Sequence, residues 1–170
     1  MTAYFSPCRK YRYGLTRKVA PLGNGTVVFV GLNPSTADHE RDDATIRRCR
    51  GFARHWGFAE LAVVNLYAYR CTDPRQLREI ADPVGPENDH TIASFCAVSD
   101  LVVVAWGAAA RNERASEVLD LPILNPYCLG QTRTGAPRHP LYVKKDARPI
   151  PFAFMVPPRA PATASGAFAE

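Results

Sequence analysis

The stretch VVFVGLNPSTAD, residues 27 to 38, changes abruptly from apolar residues to small and polar ones. Residues 26–32 carry apolar side chains on both faces, which is typical of a strand covered by helices on both sides. The Gly, Asn, Pro and Ser that follow favour a tight turn at the end of that strand. The stretch therefore predicts a buried strand that brings Asn33 and Ser35 to one edge of a sheet.

The next segment, DDATIRRCRGFARHWG at residues 42–57, has the pattern of an amphipathic helix. Asp42 or Asp43 can cap its first turn, and Gly57 can end it. Apolar side chains recur at helical spacing along one face. The opposite face carries Arg47, Arg48, Arg50 and Arg54, and we interpret it as either a solvated face or a DNA-contacting one.

Three further strands are predicted, with helices between them. They lie in LAVVNLYAY (61–69), DLVVVAWG (100–107) and LPILNPYCLG (121–130). This alternation predicts an α/β fold: a three-layer α/β/α sandwich around a four-stranded, mainly parallel sheet. Because such sheets bind ligands at the carboxyl ends of their strands, we expect a site at that edge.

Length and composition indicate a single domain. The chain has 170 residues, of which 46% are hydrophobic and 22% charged, as in ordinary soluble globular proteins. We expect the domain to span residues 1–148, and a Pro/Ala-rich tail, at least partly disordered, to occupy 149–170. No apolar run could cross a membrane and residues 1–20 lack the core of a secretory signal, so we expect a cytoplasmic protein with no membrane partner.

Cysteine spacing and net charge indicate which kinds of binding site the protein can have. The five cysteines are scattered without a CxxC pair, which argues against a zinc site or a disulfide framework, and we expect neither a metal nor a cofactor. The net charge of +5 comes mostly from arginine, whose planar fork suits phosphate. This balance permits nucleic-acid binding without demonstrating it.

Two loops have residues suited to chemistry. Gly31 to Ser35 can approach a ligand closely and present the amide of Asn33, or it can form an Asx-type turn that satisfies only its own backbone. The loop GAPRHPLYV, residues 135–143, holds His139 between Arg138 and Pro140. His139 is either a solvated loop histidine or an aimed donor, and the apolar residues behind it have the character of a wedge that enters a duplex.

Together these motifs resemble the uracil-DNA glycosylase superfamily. The resemblance consists of Asn-Pro after the first strand, a second strand ending in Asn, a third closing as VVVAWG, and a final His-Pro-Leu loop. More narrowly, the chain resembles an uncharacterised bacterial family with GLNPSTAD, NLYAYR and PRHPLYV motifs, which is similar to a divergent branch of those glycosylases. The resemblance covers residues 13–144 and implies that residues 1–148 form a glycosylase-like domain.

The resemblance also implies roles for individual residues. Asn33 would position the attacking water, alone or with Asp38, as in the asparagine-bearing branch that removes mismatched uracil and thymine. Asn65 would read the Watson–Crick edge of uracil, and His139 would hydrogen-bond its O2. The remaining substrate-binding residues implied are Gly31, Leu32, Pro34 and Ser35.

The sequence departs from the most active branch at two places. Ser35 stands where that branch has a shielding tyrosine, and Leu141 stands where a phosphate-contacting serine commonly follows His-Pro. We expect Arg138, Lys144 and Lys145 to take over the phosphate contacts. Leu141 or Tyr142 would fill the gap left by the flipped base.

The sequence therefore predicts a metal-independent hydrolase that excises uracil from DNA by base flipping, with uracil-containing DNA as its partner. Two alternatives remain open. One is a glycosidase for another modified base or for a nucleoside, and the other is a non-catalytic nucleic-acid-binding module.

Overall fold

The structure, a computed structural model, describes residues 2–122 and 125–153. Its strands are β1 (Thr2–Phe5), β2 (Arg12–Lys18), β3 (Thr26–Gly31), β4 (Glu60–Asn65), β5 (Leu101–Val104), β6 (Tyr127–Cys128) and β7 (Ile150–Pro151). Its helices are α1 (Ala44–His55), α2 (Asn88–Ala97) and α3 (Asn112–Leu119), with 3₁₀ helices at Pro74–Arg78 and Pro140–Tyr142.

The strands of the described residues form one mixed, seven-stranded sheet with the order β1-β2-β4-β3-β5-β6-β7. β3 pairs in parallel with β4 and β5, and β5 with β6. The β1–β2, β2–β4 and β6–β7 pairs are antiparallel. The chain is thus an α/β protein, but the predicted sandwich around a four-stranded, mainly parallel sheet is wrong.

The hydrophobic pattern did not predict β1, β2 or β7, and the last two of these strands contain residues unlike those of a buried strand. β2 contains Arg12 and Arg17, which are 2% and 1% exposed, whereas arginine is ordinarily a surface residue. β7 contains Pro151, which lacks a backbone donor and is tolerated because β7 is an edge strand. A prediction from hydrophobic pattern therefore does not identify β2 or β7 as strands.

Two apolar layers cover the two faces of the sheet. On one face, Val27 and Phe29 of β3 pack with Ile46 and Phe52 of α1. On the other, alternate residues of the same strand pack in a second cluster together with Ile92 of α2 and Val118 of α3. Both faces of β3 are therefore buried, as its apolar run predicts, and its carboxyl end lies at the edge of the sheet.

Helix α1 begins where its capping pattern predicts. The Asp43 side chain accepts a hydrogen bond from the backbone N–H of Ile46 at 2.8 Å, so Asp43 is the cap. Asp42 instead pairs with Arg17 and Arg50, each at 2.7 Å. These contacts fix the amino end of α1 against β2.

The fold extends beyond the predicted domain boundary at residue 148. Ile150–Pro151 pairs with β6, and Phe152 packs edge-to-face on Trp106 with ring centroids 6.1 Å apart. The rest of the predicted tail, and residues 123–124 of the predicted fourth strand, lie outside the described residues. Among the helices described, none has the length and apolar character needed to cross a membrane.

Candidate active site

A cavity of about 470 Å³ opens at the carboxyl ends of β3 and β4, beside the segment that follows β5. Its volume is within the range of small-molecule sites. The predicted catalytic and substrate-binding residues that line it are Gly31, Leu32, Asn33, Ser35, Asn65 and His139. Buried side chains such as Phe29, Val63 and Trp106 form much of the remaining wall.

Asn33 is oriented by the loop that follows β4. Its Nδ2 donates to the carbonyl oxygen of Cys71 at 2.7 Å and to that of Pro34 at 3.0 Å, and it lies 3.3 Å from the Cys71 sulfur. With both amide hydrogens directed to these groups, Oδ1 is left to accept a hydrogen bond. Pro34 contributes its carbonyl to this arrangement but does not line the cavity.

Gly31 and Asn65 face each other at the ends of two neighbouring parallel strands. A methyl group on Gly31 would lie 2.7 Å from Asn65 Oδ1, so the amide occupies the space that a side chain at position 31 would need. Asn65 is 3% exposed, and its Nδ2 has no hydrogen-bond partner among the described residues. The cavity wall therefore contains a buried donor whose desolvation is uncompensated.

His139 lies at the start of the 3₁₀ helix Pro140–Tyr142 and beside Gly107. Its Nδ1 accepts from the backbone N–H of Leu141 at 3.4 Å, which leaves Nε2 to hold the proton of the neutral ring. Burial lowers the pKa of His139 below its ordinary value, against the opposing negative charge of Asp43. The ring is thus suited to act as a neutral hydrogen-bond donor.

The two aspartates near α1 differ in position. Asp38 does not line the cavity, and its carboxylate accepts from the backbone N–H groups of Glu40 and Arg41, both at 2.8 Å. These hydrogen bonds lower the pKa of Asp38. Asp43 lines the cavity instead, and it is the only acidic side chain among the described residues that do so. Its capping pattern was visible in the sequence, but its place in the cavity was not.

Sequence reasoning also missed Arg12, Thr45 and Cys71 as cavity residues. Arg12 lies in a polar stretch of the sequence, and no local pattern there predicts that a charged residue will line a cavity. Burial raises the pKa of the Cys71 thiol and keeps it protonated. In the described ranges 2–122 and 125–153, no cluster of His, Cys, Asp and Glu has the geometry of a metal site.

The predicted DNA-contacting residues lie around the cavity mouth. Tyr142 is 79% exposed and borders both the cavity and a shallow depression next to it. Arg138 and Lys144 line that depression, while Lys145 is exposed just beyond it. Leu141, also exposed, stands beside Tyr142 on the same 3₁₀ helix.

The fold and the cavity define an α/β protein with a ligand-sized cavity at the ends of its parallel strands, whose largely apolar wall carries a few polar side chains. A family model described as "Protein of unknown function (DUF1643)" matches residues 12–141, and the chain belongs to that family. The match includes Asn33, Asn65 and His139. Searches of curated proteins and of solved structures gave no match.

Proposed function

We propose that this protein is a DNA glycosylase that hydrolyses the N-glycosidic bond of uracil in DNA, as the first step of base-excision repair. The observation that carries the proposal is that Asn33, Asn65 and His139, far apart in sequence, line one cavity. Their amide and imidazole groups can hydrogen-bond a pyrimidine edge. A base must leave the DNA stack to reach such a cavity, so the reaction requires base flipping.

The leaving base needs a hydrogen-bond donor. When the C1′–N1 bond breaks, its electron pair goes to uracil N1 and the negative charge spreads to the base oxygens. The Nε2–H of neutral His139 donates to O2 and stabilises that charge. Burial of His139 supports this role, because it favours the neutral ring, in which Nδ1 accepts from Leu141 and Nε2 carries the hydrogen that is donated.

The attacking water needs an acceptor, and the sugar cation needs a negative charge. Asn33 Oδ1 accepts a hydrogen bond from water and orients it, but an amide does not take a proton at neutral pH. We assign the carboxylate role to Asp43 in place of the predicted Asp38, because Asp43 lines the cavity and Asp38 does not. The water oxygen bonds to C1′, and its proton passes to Asp43.

Selection of uracil falls to Asn65. Its unpaired Nδ2 donates to O4, and its Oδ1 accepts from N3–H. Cytosine presents the opposite pattern at both positions and would leave buried groups unpaired, which costs about 1–3 kcal/mol per group. Gly31 contributes by leaving the space that Asn65 occupies.

The surface around the cavity supports DNA as the substrate. Tyr142 and Leu141 project beside the mouth, where an apolar side chain can replace a flipped base in the stack. Arg138 and Lys144 lie next to them and supply positive charge for phosphates.

The test is to incubate the purified protein with a duplex oligonucleotide that contains one uracil, and then to treat it with alkali. We expect strand cleavage at the uracil position. Asp43→Asn should lower the excision rate by about 100-fold or more, since asparagine also caps helices and keeps α1 intact. Asp38→Asn is the matched control and should excise at the native rate.

An intact oligonucleotide at high protein excess would contradict the proposal. Parallel reactions with a single strand, other modified bases and a free nucleoside separate uracil excision from the alternative glycosidases. DNA binding that is unchanged in Asn33→Ala and His139→Ala, with no base released by any variant, would indicate a non-catalytic binding module instead.

A further inference from the structure

Arg12 differs from the other buried arginines of the described chain. Arg17 pairs with Asp42 at 2.7 Å, and Arg114 pairs with Asp89. Arg12 is 2% exposed and makes no ion pair with any described carboxylate. A guanidinium has five N–H donors, and the hydrogen bond assigned to Arg12 runs from Nη1 to the carbonyl oxygen of Ala37 at 2.6 Å.

The unpaired state of this side chain is energetically costly. Its Nε is buried without a hydrogen-bond partner among the described residues. Burial of a cation disfavours its charged form, and it lowers the pKa of Arg12 to about 10 even though the charge of Asp43 opposes this change. Even so, the group carries its charge at neutral pH, so a bound anion would compensate a charge that the fold leaves unpaired.

Arg12 lines the cavity together with Thr45, in the first turn of α1. The capping side chain of Asp43 accepts from the backbone N–H of Ile46, the residue after Thr45. The backbone N–H of Thr45 therefore remains available at this helix terminus. Free N–H groups at a helix amino end favour anions. The guanidinium and the helix terminus thus meet at one cavity whose volume of about 470 Å³ exceeds the needs of a single pyrimidine ring.

We propose that Arg12 and the amino end of α1 form an oxyanion subsite in the cavity, which takes the phosphate of a mononucleotide while the base contacts the Asn65 side. Arginine offers a planar fork that binds phosphate or carboxylate oxygens bidentately. The subsite binds ligand whether or not the protein cleaves a glycosidic bond. It goes beyond uracil excision, since a nucleotide within a DNA strand does not bring a terminal phosphate into the cavity.

Asp43 also lines the cavity, and its negative charge opposes anion binding there. Its charge reaches Arg12, and it would repel a phosphate held there. Asp43→Asn removes this repulsion and preserves the helix cap. The subsite therefore predicts tighter phosphate binding in Asp43→Asn, the opposite of the loss of uracil excision expected for the same variant.

The experiment is calorimetric titration of the full chain with deoxyuridine 5′-monophosphate and deoxyuridine, and with 5-carboxyuracil and uracil. We expect the monophosphate to bind at least about tenfold more tightly than deoxyuridine, which corresponds to about 1.4 kcal/mol. Arg12→Gln should remove this difference and leave deoxyuridine binding unchanged. Arg54→Gln, at an exposed position of α1, is the matched control and should preserve it.

The outcomes separate the sources of the oxyanion. A preference for 5-carboxyuracil over uracil, without a preference for the monophosphate, would assign the subsite to a carboxylate on the base. Equal affinities within both pairs, no binding of any probe, or a preference that persists in Arg12→Gln would overturn the proposal, whatever the DNA assay shows. If Arg12→Gln does not fold, two other variants test the proposal. Arg12→Lys should show a smaller preference for the monophosphate over deoxyuridine, and Asp43→Asn should bind the monophosphate more tightly than the native protein does.

Discussion

At the scale of the residue, the Gly31–Asn65 contact links strand pairing to the candidate chemistry. Gly31→Ala would place a methyl group 2.7 Å from Asn65 Oδ1. We expect it to displace the amide, to destabilise the protein by about 1–3 kcal/mol and to reduce uracil excision. Chemical denaturation and the excision assay measure the two effects.

Gly51→Ala is the control for that substitution. Gly51 lies within α1, and a methyl group there meets nothing within 4 Å. It should stabilise the protein by about 0.5–1 kcal/mol, because alanine favours the helix, and leave excision unchanged. Equal effects of the two alanines would contradict the role assigned to Gly31.

His139 provides a second prediction, from pH dependence. Because burial lowers its pKa, the excision rate should fall on acidification only below the ordinary histidine value of about 6.5. The unfolded chain binds this proton more readily, so the same burial lowers stability as the pH falls below about 6.5. His139→Gln keeps a hydrogen-bond donor but does not titrate, so its excision rate and its stability should both lack this loss at acidic pH. If the variant loses excision rate in acid as the native protein does, the role assigned to His139 is contradicted.

At the scale of the element, Asp42 holds the β3–α1 connection. Burial by itself would raise the pKa of Asp42, but hydrogen bonds from Arg50 and Arg17 outweigh it and lower that pKa. A depressed carboxyl pKa contributes stability that is present above about pH 3.9 and is lost as the pH falls through the folded value. Acid should therefore weaken the contacts of Asp42 with Arg17 and Arg50 and lower the stability of the protein.

Asp42→Asn tests this element. We expect a loss of about 3 kcal/mol at neutral pH, because it leaves the buried Arg17 without a carboxylate, and a difference from the native protein that shrinks in acid. Asp73→Asn removes the exposed pair with Arg75 and should change stability little. Denaturant titrations from neutral to acidic pH measure the free energy of unfolding of each variant. Equal losses of stability for Asp42→Asn and Asp73→Asn would contradict the role of Asp42.

At the scale of the whole molecule, the positive charge beside the cavity mouth should control DNA affinity. Replacing Arg138 and Lys144 with glutamine should reduce the slope of log affinity against log salt by about one for each phosphate that these side chains neutralise. Lys18→Gln changes an exposed lysine at the end of β2, whose backbone lies opposite Glu60 at the amino end of β4, and it should preserve the slope. Equal slopes in all variants would place the DNA contacts elsewhere.

The sequence by itself determined the local structure. The run from Val27 to Val30 predicted a strand buried on both faces, and the DDAT pattern predicted a helix capped by Asp42 or Asp43. Both follow from physics that acts over a few residues, since side-chain alternation and capping hydrogen bonds need no distant partner. The strand ends therefore located Asn33 and Asn65 at one edge without a structure.

Only the tertiary structure decided which charged residues are buried and which carboxylate reaches the cavity. Arg12 is buried where its backbone N–H donates to the carbonyl oxygen of Ala68 after β4, a contact between segments far apart in the chain. Asp43, and not Asp38, faces the cavity because the path of the β3–α1 loop is fixed by Arg12 and Arg17 together. Partners that are distant in sequence leave no periodic signal, so the mixed sheet and the composition of the cavity wall required the fold.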